Sequence, residues 1–108
     1  MSTDAGELGQ KQPRVTGAQL RAARGLLNMS ASELAERTGL ALNTVRRAEA
    51  TNGEAPITAA NANVLLATLE QAGVMFIPAD DLGPGVRLRD SDLSPLQRRR
   101  PSRSAGSA

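Results

Sequence analysis

A chain of 108 residues with net charge +2, one aromatic residue and neither cysteine nor histidine has room for one small domain. That composition excludes disulfides, thiol nucleophiles and zinc or iron sites of the ordinary kinds. With Phe76 the sole aromatic residue, the core falls to Leu, Val, Ile, Met and Ala, an interior suited to packed helices. A domain this small is marginal alone, so oligomerisation is expected. No apolar run approaches the roughly 20 residues needed to cross a bilayer. The start, MSTDAGELGQKQ, lacks the basic and apolar regions of a secretory signal, so the expected location is the cytoplasm. Every basic residue except Lys11 is arginine. A guanidinium suits bidentate contacts to phosphate and guanine, although a high-GC genome yields the same enrichment.

Residues 1–13 are small, polar and aperiodic and read as a flexible arm. A first helix opens at Thr16, with Gln19 three positions on in a capping-box relationship. Leu20, Ala23 and Leu27 recur at helical spacing, and Leu26 widens the stripe. Asn28 suits the left-handed residue that ends a helix. Ser30 and Glu33 form a second capping box, with Met29 and Leu34 as its hydrophobic staple. Leu34 and Ala35 face inward, Gly39 supplies a turn of positive φ, and Leu40 plugs that turn into the core. A third helix over 42–50 buries Val45 and Ala48 and stops at Asn52 and Gly53. A fourth runs from near Thr58 to Ala72. Its core stripe is expected at Ala60, Val64, Leu65, Leu69 and Ala72, with Leu66 off-centre, partly exposed or at an interface.

The pattern then changes. Val74, Met75, Phe76 and Ile77 form a short apolar run bounded by Gly73 and Pro78, which reads as a strand. Val86 to Arg89 alternates with period two, and the pair predicts a hairpin with a long Gly/Pro-containing loop. An isolated two-stranded hairpin is barely stable in water. One face is expected on the helices and the other on a second copy of the chain. The expected dimerisation residues are Leu66, Val74, Met75, Phe76, Ile77, Val86 and Leu88. From residue 90 onward the chain is rich in Ser, Pro and Arg, with Arg98, Arg99, Arg100 and Arg103 clustered, and reads as a disordered basic tail.

Four pieces carry a resemblance: L-R-A-A-R at 20–24, S-x-x-E-L-A at 30–35, T-G-L at 38–40 and T-V-R-R-A-E at 44–49. Together they resemble the Cro and phage-repressor type of helix-turn-helix, the xenobiotic-response-element family. More loosely, A-G-V-x-F-I followed by G-P-G-V-R-L-R resembles a C-terminal extension on small bacterial members. The resemblance implies a mainly α fold: a four-helix, lambda-repressor-like domain over 14–73, then a dimerising β-hairpin over 74–89. It also implies that the second motif helix docks in the major groove. Carried over by position, the base readers are Leu42, Asn43 and Arg47, with Arg46 on bases or phosphate. Asn suits adenine, Arg suits guanine and Leu the thymine methyl. Ala41, Thr44 and the backbone of Asn52 and Gly53 lie near phosphate, as does Ala31 at the start of the second helix, whose free backbone N–H groups suit an anion. Two departures stand out, since the family often has Gln where this chain has Ala31 and Ser or Thr where it has Ala41. A structural pair between Arg24 and Glu49 is implied too.

Other readings of the same residues are blander. Arg46 and Arg47 read alone are solvated charges, the Arg cluster a solubilising tail, and Asp80 and Asp81 loop residues. Gly83, Pro84 and Gly85 lack the Lys and the following helix of a phosphate cradle. No carboxylate spacing suggests a paired acid and base. The chain is therefore read as a non-enzyme without cofactor or metal. Its expected function is that of a dimeric regulator of transcription at a promoter or operator. Expected partners are double-stranded DNA, a second copy, and RNA polymerase or another regulator, with no membrane. The alternative is a protein-interaction module, an antiactivator or antitoxin built on the same fold.

Overall fold

Three of the four helices begin where the sequence supplies a side chain able to cap them, in a computed structural model that describes residues 15–90. The arm expected over 1–13 and the basic tail, apart from Asp90, lie outside the described residues. Helix α1 (Gly17–Leu27) opens on a complete capping box. Gln19 N–H donates to Thr16 Oγ1 at 3.0 Å, and Thr16 N–H donates to Gln19 Oε1 at 2.9 Å. It ends at Asn28, in the left-handed region at φ 56°. Helix α2 (Ala31–Thr38) is capped by Ser30, whose Oγ accepts from Glu33 N–H at 2.9 Å. Gly39, at φ 79°, closes it. Helix α3 (Leu42–Glu49) starts at Ala41 with no side-chain cap. Helix α4 (Ala59–Gln71) is capped by Thr58. Strands β1 (Val74–Ile77) and β2 (Gly85–Leu88) then form one antiparallel hairpin.

All elements except β2 place a fully buried aliphatic side chain in one core: Leu20 and Leu27, Leu34, Val45, Leu65 and Leu69, and Val74. Each such burial stabilises by roughly 1.5–3 kcal/mol. The result is a small, mainly helical domain with an antiparallel hairpin. Among the described residues no helix is long and apolar enough to cross a membrane.

The hairpin lies on this core. Its register pairs Val74 with Leu88 and Phe76 with Val86, which puts these four side chains on one face. Val74 is fully buried, and Phe76, Val86 and Leu88 pack against the core. Buried Gln19, expected only as a cap, adds a clasp: its Nε2 donates to Ile77 O at 3.3 Å and Gly85 O at 3.0 Å. Those carbonyls belong to the last residue pair of the ladder, so α1 holds the hairpin by both strands at once.

Two expectations need correction. The buried stripe of α4 is Ala62, Leu65, Leu66 and Leu69, whereas Ala60 is exposed and Val64 is 39% exposed. The helix is Ala, Val and Leu on nearly every side, so sequence periodicity allows two phases, and packing against α2 and β1 selects one. Leu66 and Val74, expected at a dimer interface, therefore lie inside the core of their own chain. Of the expected interface residues, Met75 and Ile77 alternate onto the outer face of the hairpin, and Met75 is the more exposed, at 45%.

Thermal or urea unfolding checks the phase of α4. Leu66→Ala should cost about 2–5 kcal/mol as a core truncation, and Val64→Ala should stay within roughly 0.5 kcal/mol. The reverse order would restore the stripe expected from sequence.

Candidate nucleic-acid interface

Helices α2 and α3 are joined by a turn built from its own side chains. Thr38 Oγ1 donates to Leu34 O at 2.8 Å and accepts from Leu40 N–H at 3.3 Å, and Gly39 N–H donates to Ala35 O at 2.9 Å. Leu40 and Leu42 pack against the core on either side of Ala41. Val45 and Ala48, one turn apart, are fully buried and settle which side of α3 faces inward. The opposite side presents Asn43, Arg46 and Arg47 to solvent, together with Ala41.

The structure divides the arginines into two groups. Arg24 makes a two-pronged ion pair with Glu49: Nε donates to Oε2 and Nη2 to Oε1, each at 2.7 Å. Arg24 Nη1 also donates to Met29 O at 3.0 Å, so one side chain ties α1 to α3 and to the residue leading into α2. Arg37 pairs with Glu33 one turn back, and Arg89 Nη2 donates to Glu70 O. Arg21 donates to Glu49 O, Thr51 O and Asn52 Oδ1. Arg46, Arg47 and Arg87 by contrast have no hydrogen-bond or ion-pair partner among the described residues. Two of these free guanidiniums stand side by side on α3.

Glu49 is buried at 7% exposure. A carboxylate so placed is stable only if paired, and Arg24 supplies the pair implied by the family resemblance. The Glu49 hydrogen bond raises the Arg24 guanidinium above its ordinary value, with burial opposing it and the charge of Glu49 assisting. Stability from a raised pKa is fully present below the unfolded value and is lost as pH climbs through the folded one. For Arg24 that window lies in strong alkali, and the guanidinium stays charged at every ordinary pH.

The chain leaving α3 is held at close range. Gly17 N–H donates to Gly53 O, and Ala55 N–H donates to Val15 O, both at 2.9 Å, with Thr16 and Glu54 paired as an isolated antiparallel bridge. A Cβ on Gly17 would lie 2.0 Å from Thr51 O and 2.8 Å from Ala48 O. Glycine is thus the residue that lets α1 reach the end of α3. Thr44 and Arg47 also border an open cleft of about 580 Å³, completed by residues 54–58 and Asn61.

Of the expected DNA-contacting residues, Ala41, Asn43, Arg46, Arg47 and Asn52 are exposed on α3 or beside its ends, and Thr44 is half-buried. Ala31 and Leu42 pack partly against the core, so Leu42 commits some of its side chain inward. Sequence reasoning missed Arg21, which sits one helical turn after Gly17 within the same L-R-A-A-R piece that supplies Arg24. Among the described residues no group of three or more His, Cys, Asp or Glu is placed to hold a metal ion. Comparison with protein-family models, curated proteins and solved structures finds no match to this chain.

Glu49→Gln keeps the shape of the buried group and removes its charge. It should lower stability by roughly 1–3 kcal/mol by denaturant unfolding. An unchanged midpoint would show that the pair contributes nothing net.

Proposed function

We propose that the chain is a helix-turn-helix transcription regulator of the Cro and phage-repressor type that binds double-stranded DNA as a dimer. The observation that carries this reading is the unequal use of arginine. The guanidiniums of Arg21, Arg24, Arg37 and Arg89 are bonded to protein acceptors, while Arg46 and Arg47 stand free on the outer side of α3 beside exposed Asn43. An arginine left unpaired beside another loses nothing intramolecular when a phosphate or a guanine arrives. In this reading α2 and α3 form the motif, and α3 enters the major groove. Asn43 and Arg47 read base edges, Arg46 serves bases or phosphate, and Ala41, Thr44 and Asn52 flank the sugar-phosphate backbone. The two cations on α3 favour nucleic acid over the alternative of a protein-gripping antiactivator or antitoxin. The work is recognition without catalysis, in the cytoplasm at the nucleoid.

Dimerisation, in this reading, uses the hairpin's outer face. Met75 is nearly half exposed there beside Arg87, and Ile77 follows on the same side. A second copy covering this face presents two recognition helices, matched to half-sites about one helical turn apart.

Titration of the full chain against random and selected duplexes at two salt concentrations tests the DNA reading. Arg47→Ala should lose roughly 1–3 kcal/mol of discrimination at one base position. A mutant as selective as its parent would remove α3 from the major groove. Met75→Glu should shift the sedimentation profile toward monomer and remove the dependence of the melting temperature on protein concentration. A dimer that survives the change lies on another surface.

A further inference from the structure

Arg21 lies on α1, outside the motif, yet its guanidinium ends at the exit of α3. Nη1 donates to the carbonyls of Glu49 and Thr51, and Nη2 donates to Asn52 Oδ1. The last carbonyls of a helix have no intrahelical donor and carry its negative dipole end. A guanidinium placed there satisfies the Glu49 carbonyl of the last turn and the Thr51 carbonyl just beyond it, and offsets negative potential on the face that a phosphate would approach.

The bond to Asn52 has a sharper consequence. A carboxamide offers one acceptor oxygen and one NH₂ donor. With Oδ1 taken by Arg21, the N–H bonds remain, and these are the half that suits an anion. The flipped amide would set its NH₂ against the Arg21 guanidinium, donor against donor. Asn52 is also held from the far side. Gly17 N–H binds Gly53 O, and Ala55 N–H binds Val15 O. The Asn52 side chain and the backbone that follows it are thus anchored to α1 and to the residue leading into it.

We propose that Arg21 is a positioning residue that turns the Asn52 amide so that its N–H groups face the phosphate backbone of bound DNA. This rests on the DNA-binding function proposed above. The fork matters as well as the charge. A lysine ammonium is a single point and cannot span the acceptors that the two guanidinium amino groups reach.

The test compares the parent with Arg21→Lys, Asn52→Ala and the double variant, all full-length and confirmed folded by thermal melting. Binding to a selected duplex is read by fluorescence anisotropy across a salt series. Each single change is expected to weaken binding on the order of tenfold and to leave the log–log salt slope unchanged, because a neutral amide contact and a lysine in place of arginine leave the number of neutralised phosphates the same. The double variant should bind no more weakly than Asn52→Ala alone, because both changes remove one contact. Parental affinity in Arg21→Lys, or losses that multiply in the double variant, would overturn the proposal. The Asn52 side-chain amide of the free protein gives a readout independent of DNA. Its NMR signals should stand apart from those of exposed Asn63 in the parent and move onto them in Arg21→Lys. Signals that coincide already in the parent refute the clamp. A parent that binds no duplex defeats the regulator function and the phosphate-facing role together, while distinct Asn52 signals in that parent would still show the clamp.

Discussion

The close approach of α1 to the end of α3 is the constraint on which the rest of the molecule depends. It requires glycine at position 17, because a Cβ there would collide with the Thr51 and Ala48 carbonyls. Given that contact, the backbone after α3 pairs with residues 15–17, and Arg21 and Arg24 arrive at its end one and two turns along α1. Gln19, two residues before Arg21, points another way and clasps the hairpin. One helix therefore organises both the face proposed for DNA and the extension proposed for dimerisation. Its opposite duties fall on different sides because successive residues of a helix are turned by about 100°.

Charge and burial are kept consistent by the same arrangement. Glu49 sits where an unpaired carboxylate would be costly, and Arg24 meets it with two prongs. Among the described residues no buried side-chain nitrogen or oxygen lacks a partner. Among the described residues the unpaired guanidiniums are all at the surface, where water solvates them at little cost until a better acceptor replaces it. Cations stabilising the scaffold and cations available to a ligand are thus chemically identical and differ only in what stands next to them.

Local chemistry made much of this legible before any tertiary information. Thr16 with Gln19, Ser30, Asn28 and Gly39 act within a few residues of their own positions, and each takes the role that short-range hydrogen bonding or backbone sterics demands. At the expected second capping box the Ser30 hydroxyl caps Glu33 N–H, while the Glu33 carboxylate pairs with Arg37. Val45 and Ala48 were legible too, since polar residues on the other sides of α3 leave them one way to face. Helix α4 lacks that contrast. Leu65 and Leu69 of its expected stripe are buried, but Ala62 and Leu66 take the places expected of Ala60 and Val64, because an evenly apolar helix carries little information about its own rotation.

What the sequence alone determined, then, is the series of helices and turns, the strand pair, and the side of α3 that carries Asn43, Arg46 and Arg47. These follow from interactions within a turn or two of chain. Tertiary structure decided which arginines are occupied, which face of the hairpin is covered, and that Leu66 and Val74 belong to the core of one chain. It also brought Arg21 to Asn52 across 31 positions. Partners that distant are chosen by packing, and no local pattern records them.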